Sequence, residues 1–214
     1  HLSYGMVDLP TGKMKSREGT VVDADELMAE MISTAEEHTR ELGKIEGFSE
    51  NEAHKLYEVL GLGALKYFLL KVDPKKRMLF DPNESIQFQG NTAPFIQYSH
   101  ARISAIMRKA KQLNIPDNKV PEEAALQEVE QNLIFMLHNY PTRVEEAGNS
   151  YAPDIIAQYV FDLAKEYNRF YQEIAIFNEE DDALLQFRVA LSAMVARVIN
   201  HGMGLLGIKV PEQM

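Results

Sequence analysis

The sequence contains no cysteine among its 214 residues. This absence excludes disulfide bonds and thiolate metal sites, and it is consistent with a reducing compartment. The histidines have no carboxylate partners at metal-ligand spacing, so we expect no metal site. No apolar run is long enough to cross a bilayer, because Lys66 interrupts even the most apolar stretch, VLGLGALKYFLL. These absences predict a soluble, cytoplasmic protein with no membrane partner.

A signal-peptide pattern is also absent, because Asp8, Lys13 and Lys15 precede any apolar core that such a peptide would need. The first residue is His1 rather than methionine. We therefore expect the sequence to begin partway along a longer polypeptide, with an ordinary processed N-terminus as the alternative.

The formal net charge of −10 disfavours indiscriminate binding to nucleic acids, whose backbones are polyanions, and predicts no DNA partner. The cations are nevertheless clustered. Residues 71–77 carry four cations and one acid, whereas residues 100–113 carry four cations and no acid. The net charge therefore leaves room for local basic patches.

Helical signals dominate after a short β-prone beginning. The runs LSYGMVDL and GTVVDA flank a cationic loop, which predicts a hairpin-like excursion from a sheet edge. Capping boxes at Asp23 and Ser49 predict two helices, the second ending at Leu60, and a third helix is expected over residues 64–71. Residues 75–93 lack helical periodicity, so they are predicted to form a connector with one short strand near its start.

From Pro94 onward, apolar residues recur at helical spacing almost to the end of the sequence. The pattern predicts a bundle of about four main helices joined by short loops. One helix is expected to end before Pro141, the next begins at Pro153, and the last covers residues 183–206. The predicted fold class is mainly α, a helical bundle preceded by a small mixed α/β part.

The loop GKMKSREGT gathers three cations and a serine between the two β-prone runs. Ammonium groups and a hydroxyl on a glycine-flanked turn can neutralise the charge that develops during phosphoryl transfer. The spacing alone leaves a second interpretation open, in which the loop is a solvated hairpin tip.

KMKSR, residues 13–17, resembles the KMSKS loop of class I aminoacyl-tRNA synthetases. The longer string YGMVDLPTGKMKSREGTVVDADELMAE is similar to the arginine-specific branch of that family, the arginyl-tRNA synthetases. Three further blocks resemble the same enzymes in the same order, namely LGLGALKYFLLKVDPKKRMLFDPNESIQFQGNTAPFIQYSHARISAIMRKA, YVFDLAKEYNRFYQE and GLLGIKVPEQM. The resemblance covers nearly the whole sequence.

The resemblance implies two domains. Residues 1–93 would be the end of a class I Rossmann catalytic domain with its signature loop and a helical connecting region, and residues 94–214 an α-helical anticodon-binding domain. In such enzymes the loop closes over ATP while the carboxylate of arginine attacks the α-phosphorus. The full-length enzyme would use L-arginine, tRNA(Arg) and ATP with Mg²⁺, and we expect it to be monomeric.

The resemblance assigns catalytic roles to Lys13, Lys15, Ser16 and Arg17, and nucleotide contacts to Met6, Lys13, Met14, Lys15 and Ser16. The sequence departs from KMSKS, because Ser16 stands where the family has its second lysine. Lys15 lies one place earlier and Arg17 one place later, and which cation contacts the phosphates stays open.

In the bundle, the resemblance implies tRNA contacts for Phe95, Arg102, Arg108, Lys109, Tyr171 and Met214. Phe95, Tyr171 and Met214 align with positions at which the family contacts anticodon-loop bases, whereas the three cations would contact phosphates. Periodicity alone favours another interpretation, because an aromatic residue at helical spacing more often belongs to the core.

No HIGH-like motif, which forms the other half of the family's catalytic apparatus, occurs in the sequence. We therefore expect this chain alone not to form arginyl adenylate. Two alternatives remain at this point. The chain could be an acidic helical protein-interaction scaffold without RNA binding, or a synthetase-like paralogue whose loop serves another nucleotide reaction.

Overall fold

The computed structural model describes residues 4–8, 23–41, 43, 47–116 and 125–214. The elements follow in the order β1 (Val7–Asp8), α1 (Ala24–Glu41), α2 (Glu50–Leu70), β2 (Met78–Leu79), α3 (Pro82–Ser85), α4 (Ala93–Gln112), α5 (Glu128–Ser150), α6 (Pro153–Glu173), a 3₁₀ turn (Ile176–Asn178) and α7 (Asp182–Leu205). The mainly helical fold that the sequence predicts is confirmed. Across the described ranges, no helix is long and apolar enough to cross a membrane.

The helices enclose two apolar cores. Helices α1 and α2 form the first core together with Phe80 and Ile86 from the segment around α3. Helices α4 to α7 form the second core, the bundle. Tyr67 of α2 belongs to the bundle core, and its hydroxyl oxygen lies 2.6 Å from the Asn91 side-chain oxygen and 2.9 Å from the Ala157 carbonyl oxygen, so its single hydrogen is shared between two acceptors. Helix α2 therefore connects the two cores.

Helix α2 is continuous, so the predicted break between Leu60 and residue 64 is wrong. A Cβ atom at Gly61 would lie 2.6 Å from the Met31 carbonyl oxygen of α1, and one at Gly63 would lie 2.6 Å from Nε2 of Gln97 in α4. These glycines allow neighbouring helices to approach closely. Packing on both sides of α2 outweighs their low helix propensity.

Helix α5 continues through Pro141, so the predicted end before this proline is also wrong. Proline lacks an N–H group and cannot donate to the carbonyl four residues earlier. Beside that position, the Tyr159 hydroxyl of α6 donates to the Met136 carbonyl at 2.8 Å. Packing against α6 and α7 thus keeps the helix intact across the proline.

The two short strands pair in parallel, with Val7 opposite Met78 and Asp8 opposite Leu79. The strand expected near the start of the connector is confirmed as β2. The described partner of β1 is therefore a distant segment. Of the predicted return strand GTVVDA, residues 19–22 lie outside the described residues, and its last residue, Ala24, begins α1.

Candidate nucleic-acid interface

The predicted nucleotide-binding loop lies outside the described residues, and so do Lys13, Met14, Lys15, Ser16 and Arg17. Met6 is described; it precedes β1 and is 57% exposed. In the part of the chain that the structure describes, no group of three or more His, Asp or Glu residues could hold a metal ion. The structure therefore bears on the predicted tRNA contacts and, for the nucleotide site, only on Met6.

The predicted contact residues Arg102 and Tyr171 meet on the seam between α4 and α6. The Arg102 guanidinium lies 4.7 Å from the centre of the Tyr171 ring and 5.0 Å from that of Tyr98. Tyr98 stands four residues earlier on α4, which places the two side chains on one face of the helix. Tyr171 remains 44% exposed. The cation therefore holds an exposed aromatic ring in place.

Hydrogen bonds between polar side chains join α4 to α6 beneath the exposed ring of Tyr171. Arg102 donates to the Asn168 side-chain oxygen on α6. The Asn168 amide donates to the Ser99 hydroxyl at 2.7 Å, and this hydroxyl donates to the Phe95 carbonyl at 2.9 Å. Buried polar groups need partners, and this chain of hydrogen bonds supplies them. It also sets the register of α4 against α6, and with it the position of Tyr171.

Two grooves flank the Arg102–Tyr171 pair. The first, which we call the tail groove, has a volume of about 410 Å³ and is lined by Phe48, Tyr98, Ala101, Arg102, Ala105, Arg108, Tyr171, Gln213 and Met214. The second, the turn groove, has a volume of about 430 Å³ and is lined by Arg102, Ala105, Ile106, Lys109, Tyr171 and residues 174–178. Arg102 and Tyr171 therefore form a ridge between two concave surfaces.

The far wall of the turn groove is the 3₁₀ turn. Lys109 of α4 places its Nζ atom 4.4 Å from the centre of the Phe177 ring. Two residues later, Glu179 forms an ion pair of 2.6 Å with Arg188 of α7, which also binds the fully buried Glu130 at 2.8 Å. The ion pairs thus anchor the turn to the bundle and keep Phe177 beside the groove.

The Glu179 carboxylate accepts a backbone hydrogen bond from Asp181 and pairs with Arg188. These interactions favour its charged form and lower the pKa of Glu179 below its ordinary value. The ion pair that anchors the turn therefore persists throughout the neutral pH range.

The end of the chain forms one wall of the tail groove. Arg108 donates from Nη1 to the Glu212 carbonyl at 3.0 Å. Met214 is partly buried, packs against the first core and lines the tail groove. The thioether thus lies on the same concave surface as Arg102 and Tyr171.

Phe95 lies apart from the other predicted contacts. It is half-buried at the beginning of α4, and its ring centre is 5.5 Å from that of Phe161. Seven residues separate it from Arg102, or about 10 Å along a helix, and neither groove includes it. The structure therefore brings together Arg102, Arg108, Lys109, Tyr171 and Met214, and leaves Phe95 two turns away.

Sequence reasoning missed two aromatic residues of this surface, Tyr98 and Phe177. Tyr98 had a usable signal, since it stands four residues before a predicted contact residue. Phe177 had none, because it lies in an irregular turn. That turn is anchored to α7 and α5 by the ion pairs of Arg188 with Glu179 and Glu130. Spacing cannot indicate such a placement.

In the basic cluster at residues 71–77, two of the four cations, Lys71 and Arg77, bind groups within the protein. Arg77 forms a salt bridge with Asp8 across the two strands. Lys71 donates to the Asn91 carbonyl at 3.0 Å, and burial lowers the pKa of Lys71. Helix α4, which contains no acidic residue, is therefore the stronger candidate for contact with a polyanion.

A family model described as DALR anticodon binding domain matches residues 96–214. The chain is 59% identical over 216 residues to an arginine–tRNA ligase of Amoebophilus asiaticus, covering all of this chain and 36% of the relative. It is 55% identical to the corresponding ligase of Bacteroides thetaiotaomicron, with the same coverage. The chain thus spans about a third of the length of these curated relatives, and it corresponds to their C-terminal portion.

Among solved structures, the arginyl-tRNA synthetase of Thermus thermophilus superposes with a TM-score of 0.88 at 28% identity, covering all of this chain and 35% of that chain. An arginyl-tRNA synthetase of Plasmodium falciparum superposes with a TM-score of 0.77 at 23% identity, over the same shares of the two chains. At 23% identity, the similarity to the second structure supports the fold alone. Both extend over the first core as well as the bundle.

Proposed function

The chain belongs to the DALR anticodon binding domain family, and on that premise we propose that it is the tRNA-binding C-terminal part of an arginine–tRNA ligase. Its ligand is the anticodon loop of tRNA(Arg), bound at the tail and turn grooves. The observation that carries this proposal is the ridge between the grooves, where Arg102 holds the half-exposed ring of Tyr171.

The ridge suits unpaired nucleotides. Proteins recognise single-stranded RNA by stacking exposed bases on aromatic rings and arginine planes, and by binding the bases' edges. Tyr171 and Arg102 supply these surfaces, and the two grooves give neighbouring bases concave places to enter. A double helix could not use such a site, because its bases are already stacked on each other.

The cations beside the ridge would bind the RNA backbone. Arg108 and Lys109 are exposed on the next turns of α4, within reach of the two grooves. Phosphate contacts of this kind add affinity without sequence information and weaken as salt concentration rises. Base selectivity would therefore depend on the ridge and the groove walls, including Met214. Phe95 remains a proposed contact at the edge of this surface.

The remaining assignments concern the whole enzyme, of which this chain is one part. The parent enzyme would join arginine to tRNA(Arg) through an arginyl adenylate, using ATP with Mg²⁺, as a monomer in the cytoplasm. Lys13, Lys15, Ser16 and Arg17 would stabilise the transferred phosphates, with Met6 and Met14 beside the nucleotide. The support is the KMKSR motif together with the high identity to arginine–tRNA ligases.

Equilibrium binding tests the RNA assignment. Fluorescence anisotropy would compare arginine tRNA with transcripts that carry one substituted anticodon base, at several salt concentrations. We expect affinity to fall steeply with salt, and to fall further when a substituted base loses hydrogen bonds between its edge and the groove walls. Equal affinity for every anticodon sequence would contradict the proposal and favour an acidic protein-interaction scaffold.

A further inference from the structure

The last eight residues form a tail that side chains of α2 and α4 hold by its backbone. The chain turns at Gly207, whose φ is 68°, and then crosses both helices. Four side chains donate to tail carbonyls, namely Lys66 to Gly207 at 2.8 Å, Gln97 to Lys209 at 2.8 Å, His100 to Pro211 at 2.9 Å and Arg108 to Glu212 at 3.0 Å. We call this row of donors the tail clamp.

The two central donors of the clamp, Gln97 and His100, are buried. Gln97 is fully buried, and its amide also donates to the Val59 carbonyl of α2 at 3.1 Å, so one NH₂ group joins α2 to the tail. His100 is 8% exposed. Since the Pro211 carbonyl can only accept, the hydrogen lies on Nδ1 of His100. All four tail acceptors are main-chain carbonyls, so the clamp fixes the path of the tail whatever side chains the tail carries.

The clamp ends where the proposed RNA site begins. Beyond Glu212, the residues Gln213 and Met214 line the tail groove opposite Arg102 and Tyr171. The clamp holds the carbonyls of Pro211 and Glu212, and Met214 itself packs against the first core. These contacts together place Met214 at the groove wall.

We propose that His100 and Arg108 are positioning residues for base selectivity, acting through the tail to keep Met214 at the wall of the tail groove. This inference rests on the proposed function. It gives Arg108 a second role, holding the tail, in addition to the proposed phosphate contact. His100 is the more informative of the two, because it is nearly buried and lines neither groove. Its effect on RNA selectivity must pass through the tail.

Substitutions can separate the hydrogen bond from the side chain's bulk and charge. His100→Asn retains an amide donor near the position of Nδ1, whereas His100→Leu fills similar space without a donor. Arg108→Lys retains a charged donor, and Arg108→Met removes both properties. Lys111→Met is a matched control, because Lys111 is an exposed cation of the same helix that lines neither groove and has no described bond to the tail.

The first measurement needs no RNA. Carboxypeptidase is added to the folded chain, and the release rate of Met214 is followed by mass spectrometry. We expect release about five- to tenfold faster in His100→Leu and in Arg108→Met, the size of effect that the loss of one hydrogen bond produces. His100→Asn and Lys111→Met should match the unsubstituted chain. Equal rates for His100→Leu and the unsubstituted chain would overturn the clamp.

The second measurement compares the affinities for arginine tRNA and for a transcript with one substituted anticodon base. We expect the ratio of the two affinities to fall about fivefold or more in His100→Leu, with recovery in His100→Asn. Circular dichroism confirms that each variant is folded. A His100→Leu variant that releases Met214 quickly but keeps the full ratio would overturn the role of the tail in selectivity.

The two measurements also distinguish this inference from its premise. If the unsubstituted chain shows no preference for the arginine anticodon, the proposed function fails, and the selectivity role of His100 and Arg108 fails with it. The release rates of Met214 still decide whether the clamp holds the tail.

Discussion

Tyr171 is held on the surface by a cation rather than by burial. Its ring is 44% exposed and lies 4.7 Å from the Arg102 guanidinium, which is itself bound by Asn168. A cation that packs against an exposed aromatic ring holds its flat apolar face at a fixed position. At the scale of single residues, this pair is the chemical centre of the proposed interface.

The first prediction concerns the aromatic face of Tyr171. Tyr171→Leu keeps an apolar side chain but removes the ring, so a stacked base would lose about 1–3 kcal/mol of binding free energy. We expect arginine tRNA to bind about 5- to 100-fold more weakly, as measured by anisotropy titration. Tyr171→Phe is the matched control and should bind nearly as well as the unsubstituted chain. Unchanged affinity in Tyr171→Leu would show that no base stacks there.

The family resemblance grouped residues that the structure places side by side, whereas placements that depend on distant contacts had no signal in the sequence. Arg102 and Tyr171 were identified from the family resemblance, and the structure brings them into contact. Periodicity alone assigned aromatic residues to the core, which describes the half-buried Phe95 better than Tyr171. Phe177 could not be found, since its turn is anchored through Arg188 to Glu130, which lies 58 residues before Arg188 in the sequence.

At the scale of elements, close helix packing explains where sequence patterns misled. A glycine pair and a proline each signal the end of a helix, yet α2 and α5 continue through them. These signals reflect the free-energy cost of glycine or proline inside a helix. Packing against neighbouring helices stabilises the helix by more than this cost. Most helix starts, including the Ser49 capping box, were predictable because capping is a local interaction.

The second prediction compares two glycines inside helices. Gly61→Ala places a Cβ atom 2.6 Å from the Met31 carbonyl oxygen, so α1 and α2 must separate. We expect the free energy of unfolding to fall by about 1–3 kcal/mol despite the better helix propensity of alanine. Gly148→Ala meets no atom within 4 Å and should raise it by about 0.5–1 kcal/mol. Urea denaturation measures both. A stabilising Gly61→Ala would refute the packing role of this glycine.

The third prediction concerns the ion pairs that anchor the 3₁₀ turn. Arg188 is 5% exposed and binds Glu130, which is fully buried, as well as Glu179. Arg188→Met leaves a buried carboxylate without its partner, so we expect a loss of about 3–5 kcal/mol in the free energy of unfolding. Arg169→Met removes an exposed cation that pairs with Glu173 and should cost less than about 1 kcal/mol. Similar losses in both variants would contradict this difference.

The fourth prediction is a pH dependence at the same turn. Hydrogen bonding and Arg188 lower the pKa of Glu179 in the folded state below its ordinary value of 4.5. The unfolded chain therefore binds a proton at a higher pH than the folded chain, and protonation favours unfolding. The stabilisation by Glu179 is fully present above about pH 4.5 and is lost as pH falls through the lower folded pKa.

We expect Glu179→Gln to flatten the acid side of the stability profile, measured by denaturant unfolding between about pH 3 and 6. Glu180→Gln, at a neighbouring position without a described ion pair, serves as the control. An acid slope that Glu179→Gln leaves unchanged would mean that this carboxylate does not contribute to the folded state through its charge.

At the scale of the whole molecule, the charge distribution favours RNA binding at one basic face and disfavours it over the rest of the surface. A net charge of −10 repels polyanions from most of the surface, whereas α4 presents cations without any acidic residue. RNA should therefore bind at one face, the face that carries the two grooves.

The sequence predicted the helical bundle and the basic cluster because both are local patterns. It could not predict the parallel strand pair or the path of the tail, which join segments far apart in the chain.

The most direct test of the central claim is to map where an anticodon loop contacts this chain. An anticodon stem-loop of arginine tRNA with 4-thiouridine in its loop would be crosslinked to the protein by ultraviolet light, and the crosslinked peptides identified by mass spectrometry. We predict crosslinks to the peptides that contain Tyr171, Tyr98 and Met214, and their loss when unlabelled stem-loop competes. Crosslinks confined to another surface, such as the exposed Phe135 on α5, would contradict the account.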